Sequence, residues 1–124
     1  MLNRFSLALS GLLEEDKILE LTARELQDAL NAPRISVVGF ERGKPVWKHS
    51  TPKSKTKLPY KLPDAPIFQR LQESLGVFVT DAISAEPDLA PLISFLGDGI
   101  QSLLILPFTS GSNLRALLFV HQNA

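Results

Sequence analysis

The sequence feature that most constrains the fold is a pair of nearly uninterrupted apolar runs, Leu103–Phe108 and Leu114–Val120. A short polar segment, TSGSN, separates them, and its Gly, Ser and Asn residues are typical of a tight turn. The two runs are therefore predicted to be neighbouring antiparallel strands. Because neither run alternates apolar with polar residues, both are expected to be central strands covered on both faces. At about 1.5–3 kcal/mol per fully buried aliphatic side chain, they are predicted to be the main source of stability.

Two further elements are predicted in the first half of the chain. Apolar residues recur at helical spacing over residues 12–31, which indicates a long amphipathic helix. Residues 34–49 have the β-branched, apolar composition and central polar turn of a β-hairpin. Pro45 lies near the start of the second hairpin strand, and proline has no N–H to donate to a ladder. We therefore expect that strand at an edge of the sheet.

Shorter elements are predicted between the hairpin and the apolar runs. Asp64 is a candidate cap for a helix that ends near Leu75 and is stopped by Gly76. A very short strand is expected at 77–79 and a short helix at 87–97. Together these elements predict an α/β (α+β) domain, with one antiparallel sheet of about five strands and helices on both faces.

Composition excludes several classes of protein. The chain of 124 residues has no net charge, with 13 basic and 13 acidic side chains, so a globally basic nucleic-acid binder is not expected. It has no cysteine, which excludes disulfides, thiolate metal sites and thioether-linked cofactors. Absence of cysteine is consistent with a cytoplasmic protein. No apolar run approaches the roughly 18–20 residues of a membrane span, so no contact with a membrane is predicted.

The basic charge is concentrated in one segment. Residues 41–61 carry seven basic and one acidic side chain, most of them in a proline-containing stretch over 48–61 that reads as an exposed loop. Lysines alternating with Ser, Thr and Pro usually indicate solvated chain. An anionic ligand, a nucleic acid or a protein partner is the alternative reading, and Trp47 and Tyr60 flank the loop where a base could stack.

No catalytic or metal site is evident in the sequence. His49 and His121 are the only histidines, and both are predicted to be solvated at strand ends. No cluster of His, Asp or Glu has metal-ligand spacing, and no Ser-His-Asp signature is present. We therefore predict a protein that is not an enzyme and holds no metal.

Three segments carry a resemblance to the GAF domain family. They match its first helix and strand, its second helix with a short strand ending in Asp, and its penultimate strand: LQDALNAPRISVVGF, PIFQRLQESLGVFVTD and GIQSLLILPF. The last segment matches the family pattern G-[IV]-x-S-x-x-x-x-P-[LIVF] from Gly99-Ile100-Gln101-Ser102 to Pro107-Phe108. The resemblance covers residues 12–122 of a single domain spanning 1–124, preceded by an N-terminal extension or helix over 1–11. The chain departs from the family at Arg115-Ala116, where the last strand usually begins near a Gly.

The resemblance implies a sensory or regulatory module of a signalling protein such as a histidine kinase or cyclase. Such a module binds a small molecule, forms a homodimer or does both, and it acts on a downstream output domain or partner. A covalently attached bilin is excluded, because the Cys-His pair of the bilin-binding relatives falls at about Ala90-Pro91. The N-K-x-F-D-E motif of cyclic-nucleotide-binding relatives is also absent, so the cofactor or ligand stays unidentified. The alternatives are a ligand-free assembly domain and a PAS-like or other profilin-like domain.

The resemblance and the predicted elements together suggest two sets of site residues. A ligand pocket between the sheet and the 87–97 helix would be lined by Phe78, Asp81, Leu92, Phe95, Leu96, Ser102 and Leu104. Plain core packing is the alternative for the apolar members, and a turn cap is the alternative for Asp81. A dimer interface on the first helix would use Leu12, Ile18, Leu19 and Leu26.

Overall fold

A computed structural model describes residues 4–97 and 99–122, with side chains from Glu15 onward. Its centre is one six-stranded antiparallel sheet in the order β3-β2-β1-β6-β5-β4. The α+β class with helices on both faces is confirmed, and the sheet has six strands where about five were predicted. The elements in chain order are α1 (Arg4–Leu30), β1 (Arg34–Glu41), β2 (Lys44–Thr51), β3 (Tyr60–Lys61), α2 (Pro66–Ser74), β4 (Phe78–Thr80), two 3₁₀ turns (Ile83–Ala85 and Pro87–Leu92), α3 (Ile93–Leu96), β5 (Ser102–Ser110) and β6 (Asn113–Gln122).

The first helix is longer than its apolar stripe predicted. It begins at Arg4, so residues 4–11 belong to the same helix as residues 12–30. Its end is set by Asn31, which adopts a left-handed conformation with φ of 49°. The Ala32 N–H then donates to the Gln27 carbonyl at 3.1 Å, which satisfies one of the last free carbonyls of the helix.

The two apolar runs form the antiparallel pair that the sequence predicted. β5 and β6 are joined along nine aligned positions, from Ser102 opposite Gln122 to Ser110 opposite Asn113. β6 also pairs with β1, which puts it at the centre of the sheet.

The expected edge position of β2 is wrong. The two-residue strand β3 pairs with Val46 and Trp47 and takes the edge instead. Pro45 tolerates this neighbour because it supplies only its carbonyl, which accepts the Leu62 N–H at 3.1 Å. Because proline has no backbone N–H and the Pro45 carbonyl is hydrogen-bonded, no backbone polar group of Pro45 is left unpaired beside β3.

Two of the shorter helices also differ from prediction. Ala65, rather than Asp64, occupies the N-cap of α2, and Leu75, rather than Gly76, adopts the left-handed conformation at its end. The predicted 87–97 helix is a 3₁₀ turn followed by the single turn of α3. Pro91 lies inside that segment and lacks the N–H that a continuous α-helix would need.

Apolar side chains are buried on both faces of the sheet, as two separate clusters. The closed face, covered by α2, the 3₁₀ turns and α3, has the larger one: Val38, Trp47, Leu62, Ala65, Ile67, Phe68, Leu71, Phe78, Ile83, Leu89, Leu92, Leu96, Leu103, Ile105, Leu117 and Phe119. The α1 face has the smaller one: Leu19, Ala23, Ala32, Ile35, Val37, Ala116, Leu118 and Val120. No helix among the described residues is long and apolar enough to cross a membrane.

Candidate functional site

A concave site lies at one end of the sheet, where β1 begins and β6 ends. It is a cavity of about 830 Å³ between the basic loop that joins β2 to β3 and the segment around α3. We call it the sheet-end cavity. Its volume is in the range of small-molecule sites in proteins, roughly 300–1,000 Å³.

Aromatic side chains form part of the cavity wall. Trp47 on β2 is 5% exposed, and its indole N–H donates to the His49 carbonyl at 3.0 Å. Half-buried Phe95 from α3 meets the Trp47 ring edge to face, with ring centroids 5.0 Å apart. Tyr60 on β3 adds a half-exposed ring. These side chains can pack against a flat apolar group.

The charged side chains that line the cavity are all basic among the described residues. Arg34 at the start of β1 has its guanidinium carbon 5.9 Å from the centre of the Trp47 ring, and Lys53 and Lys55 of the loop also line the cavity. No Asp or Glu of the described residues lines the cavity. A concave surface with one sign of charge attracts the opposite sign, so the cavity favours an anion.

His121 closes the inner end of the cavity, and its predicted exposure at a strand end is wrong. It is fully buried because β6 continues past Val120 and the end of α3 packs over it. Its Nδ1 lies 3.0 Å from the Leu96 carbonyl, and its Nε2 lies 3.0 Å from the Ser36 hydroxyl. Since a carbonyl only accepts, Nδ1 carries the proton and donates to Leu96, and Nε2 accepts from Ser36.

Burial lowers the pKa of His121 from 6.5 to about 4. The bond to the Leu96 carbonyl opposes this change, and the nearby positive charge of Arg34 reinforces it. The imidazole is therefore neutral near pH 7, and both of its nitrogens are occupied by the protein. It ties α3 to the centre of the sheet and has no free nitrogen for acid–base chemistry.

The structure brings only part of the sequence-predicted pocket together. Phe95 and Leu96 line the sheet-end cavity, whereas Phe78 and Leu92 are buried in the cluster of the closed face. Leu104 lies on the α1 face, because side chains alternate along β5 and it is Leu103 and Ile105 that point to the closed face.

The two polar members of that set lie elsewhere. Asp81 is exposed beside a separate groove of about 410 Å³, and Ser102 is half-buried at the start of β5. The turn after β4 is capped by Thr80, whose hydroxyl accepts the Ala82 N–H at 3.2 Å and donates to a Glu86 carboxylate oxygen at 3.0 Å. Thr80, and not Asp81, therefore caps this turn.

Sequence reasoning did not assign Arg34, His121 or Trp47 to the predicted ligand pocket, although all three line the cavity. Arg34 and His121 are directly opposite each other on β1 and β6, and Trp47 faces the same side. Only Trp47 carried a sequence signal, since it flanks the basic loop.

The described residues of the predicted dimer interface differ in exposure and do not form one surface. Leu19 is 3% exposed and half-buried Leu26 packs beside it, both against the sheet of their own chain. Ile18 is 50% exposed on the flank of α1. Leu12 lies outside the residues whose side chains are described.

Comparison with known proteins identifies the class of fold. No family model and no curated protein sequence matches the chain. Among solved structures, the GAF domain/HD domain protein from Geobacter sulfurreducens matches with a TM-score of 0.70 and 15% identity, over 87% of this chain and 74% of that one. The GAF domain of a two-component sensor histidine kinase from Bacillus halodurans matches with a TM-score of 0.69 and 15% identity, over 88% and 76%. These likenesses define a single-sheet α+β fold.

A third similar structure is the NreA protein from Staphylococcus aureus, mutated in its nitrate binding site. It matches with a TM-score of 0.66 and 10% identity, over 90% of this chain and 88% of that one. The chain has the GAF-domain fold, as the sequence resemblance predicted.

Proposed function

We propose that the chain is a sensory module that binds a small organic anion with a flat apolar part in the sheet-end cavity. The observation that carries the proposal is the lining itself: Arg34, Lys53 and Lys55 supply positive charge, no described carboxylate opposes them, and Trp47 and Phe95 supply aromatic surface. The similar structures support a signalling role, because two of them are named as domains of a sensor histidine kinase and a GAF/HD protein. A third carries a nitrate binding site in its name, and nitrate is an anion.

The proposed module regulates an output domain or partner protein and has no catalytic activity of its own. Both nitrogens of His121 are engaged by the fold, and no group of three or more His, Asp or Glu in the described part of the chain is placed to hold a metal. A bound ligand would regulate the output by stabilising one arrangement of α3 and the basic loop relative to another. Such a shift is limited to the difference in the ligand's affinity for the two arrangements.

A matched pair of fluorescent probes tests the ligand class. Anilinonaphthalene sulfonate is an aromatic anion, and phenylnaphthylamine is its neutral counterpart. Trp47 is the only tryptophan of the chain, so energy transfer from Trp47 to the probe reports binding near the cavity. Replacing Arg34→Gln removes a charge-assisted contact, which is worth about 1.5–3 kcal/mol. We expect about tenfold weaker binding of the sulfonate and unchanged binding of the neutral probe.

Arg42→Gln is the matched control, because Arg42 is an exposed arginine in the β1–β2 turn and does not line the cavity. It should bind both probes like the wild type. Equal affinity of Arg34→Gln and wild type for the sulfonate would contradict the proposal, as would an equal loss for the neutral probe.

A second proposal is self-association through α1. Ile18 and Leu21 are 50% and 56% exposed on this helix, which is more apolar surface than a solvated helix flank normally carries. We infer a homodimer that buries these two side chains, in place of Leu19 and Leu26, which the chain uses in its own core. Sedimentation equilibrium at micromolar concentration tests it, and a monomer throughout would overturn it.

A further inference from the structure

A second groove lies on the other side of the basic loop, between α1 and β2. Its volume is about 630 Å³. Arg24 from α1, Lys48 from β2 and Lys57 from the loop line this groove only, and Lys53 and Lys55 line both this groove and the sheet-end cavity. We call it the lysine groove.

The positive charge of the lysine groove is not neutralised by the described part of the chain. Its one carboxylate is Glu20, whose Oε1 lies 3.1 Å from Nδ1 of His49. None of the five Lys and Arg side chains forms an ion pair with a described residue. Like charges that line the same groove repel one another. An anion between them would therefore be bound favourably.

The loop that carries these lysines is fastened at both ends. The Thr51 hydroxyl donates to Oε1 of Gln27 on α1 at 2.9 Å, and Leu58 packs against the cluster of the closed face. The groove is therefore a shaped surface, because the two walls that hold its cations are tied to each other and to the core.

The lining also indicates which kind of anion fits. The groove has no Phe, Tyr or Trp among its described lining residues, in contrast to the sheet-end cavity, and its one imidazole, that of His49, is engaged by Glu20. It therefore offers less surface for base stacking than the sheet-end cavity does. Hydroxyl groups of Ser54 and Thr56 lie among the cations and can donate to phosphate oxygens. We propose that the lysine groove binds a compact, multiply charged phosphate, such as inorganic polyphosphate or a small molecule with several phosphate groups.

The position of Lys48 makes the proposal testable without removing a charge. A Cβ placed on Gly39 of β1 would lie 2.7 Å from Cε and 2.9 Å from Cδ of Lys48. The Lys48 side chain therefore lies across Gly39 on the α1 side of the sheet. Because the obstructing atoms are the far end of a flexible side chain, Gly39→Ala should displace the Lys48 ammonium from the groove while the fold is retained.

Calorimetric titration of the full chain with sodium tripolyphosphate at low ionic strength tests the proposal. The double variant Arg24→Gln/Lys57→Gln should bind at least tenfold more weakly, since two charge-assisted contacts are lost. The matched control Arg42→Gln/Lys44→Gln removes the same charges at the opposite end of the β1–β2 hairpin, and it should change the affinity less than twofold. Gly39→Ala should weaken binding about threefold. Urea denaturation of each variant verifies that the fold is intact.

Three results would overturn the proposal. The first is no saturable heat with millimolar tripolyphosphate. The second is an equal loss of affinity in the two double variants, which would show attraction to diffuse surface charge only. The third is tighter binding of a single-stranded oligothymidylate than of tripolyphosphate, which would assign the groove to a nucleic acid. The comparison of the two double variants is specific to the lysine groove, because Arg24 and Lys57 do not line the sheet-end cavity.

Discussion

The two faces of the sheet are built differently, although the same strands supply both. On the closed face, aromatic rings meet in the interior: Phe119 contacts Phe68 and Phe95 with ring centroids 6.3 and 5.5 Å apart. On the α1 face the buried side chains are smaller, and Leu104 and Phe108 of β5 stay half-exposed. The closed face therefore accounts for most of the buried apolar surface and, by the area argument, for most of the stability.

The α1 face buries fewer apolar side chains than the closed face and is also fastened at its polar margins. The helix contacts β2 through Gln27 and Thr51, and it contacts β6 through an ion pair between Glu15 and Arg115, with Nε and Oε1 3.3 Å apart. Partly exposed contacts of this kind are each worth about 1 kcal/mol or less. Thr51 connects the helix to the loop that borders both the sheet-end cavity and the lysine groove. We therefore expect substitutions on the α1 face to cost less stability than substitutions on the closed face.

The largest expected effect is the loss of the ring at the centre of the closed face. Phe119 has no exposed surface, and truncation of a buried Phe to Ala typically costs about 3–5 kcal/mol. Leu118, the preceding residue of β6, points to the α1 face beside half-buried Leu106. We expect Leu118→Ala to cost about 2 kcal/mol, because that site is smaller and can relax towards solvent. Urea denaturation measures both, and equal costs would remove the distinction between the faces.

A smaller effect is expected from pH through His121, which joins α3 of the closed face to β6. Its pKa is about 4 in the folded chain and 6.5 in the unfolded chain. Between these values the unfolded chain binds more protons, so stability rises with pH through this range and is lost as pH falls. At about 1.4 kcal/mol per unit, roughly 2 kcal/mol is lost between pH 7.5 and pH 5.

The variant His121→Gln separates this contribution from that of the carboxylates. It should be less stable than the wild type near pH 7, because Ser36 and Leu96 lose their well-placed partner. Its stability should also change less between about pH 7.5 and pH 5, since the titrating group is gone. A pH dependence identical to that of the wild type would assign the effect to other groups.

The fold was predictable where a local pattern encodes it. The runs Leu103–Phe108 and Leu114–Val120 indicate two neighbouring strands by composition alone, and the turn between them determines their direction. Only the second of these strands, β6, is central and covered on both faces as expected, because β5 is bordered on its other side by the three-residue β4 and is half-exposed on its α1 face. The strand β3 was missed because two polar residues in a proline-containing segment carry no periodicity, and they pair only because β2 offers a free edge. The 87–97 helix was overestimated because apolar spacing does not record the missing N–H of Pro91.

The candidate site was less predictable, since it depends on register. A strand that is apolar on both faces gives no sign of which residue faces which helix, so Leu104 was grouped with Phe95 although the sheet lies between them. The pairing of Arg34 with His121 joins residues far apart in sequence, and no local pattern specifies it. Burial of His121 likewise depends on α3 packing over the end of β6.

The smallest effect on stability is expected on the outer side of α1. Leu21 is 56% exposed, and exposed substitutions without special contacts usually change stability by less than about 0.5 kcal/mol. Leu21→Lys should therefore unfold in urea like the wild-type monomer, yet shift the sedimentation equilibrium to monomer, because the dimer would bury a lysine against its own copy. Lys17→Gln, on an exposed position of the same helix, is the control and should leave self-association unchanged. If Leu21→Lys instead destabilised the isolated chain as much as Leu118→Ala, the outer side of α1 would belong to the core of the α1 face.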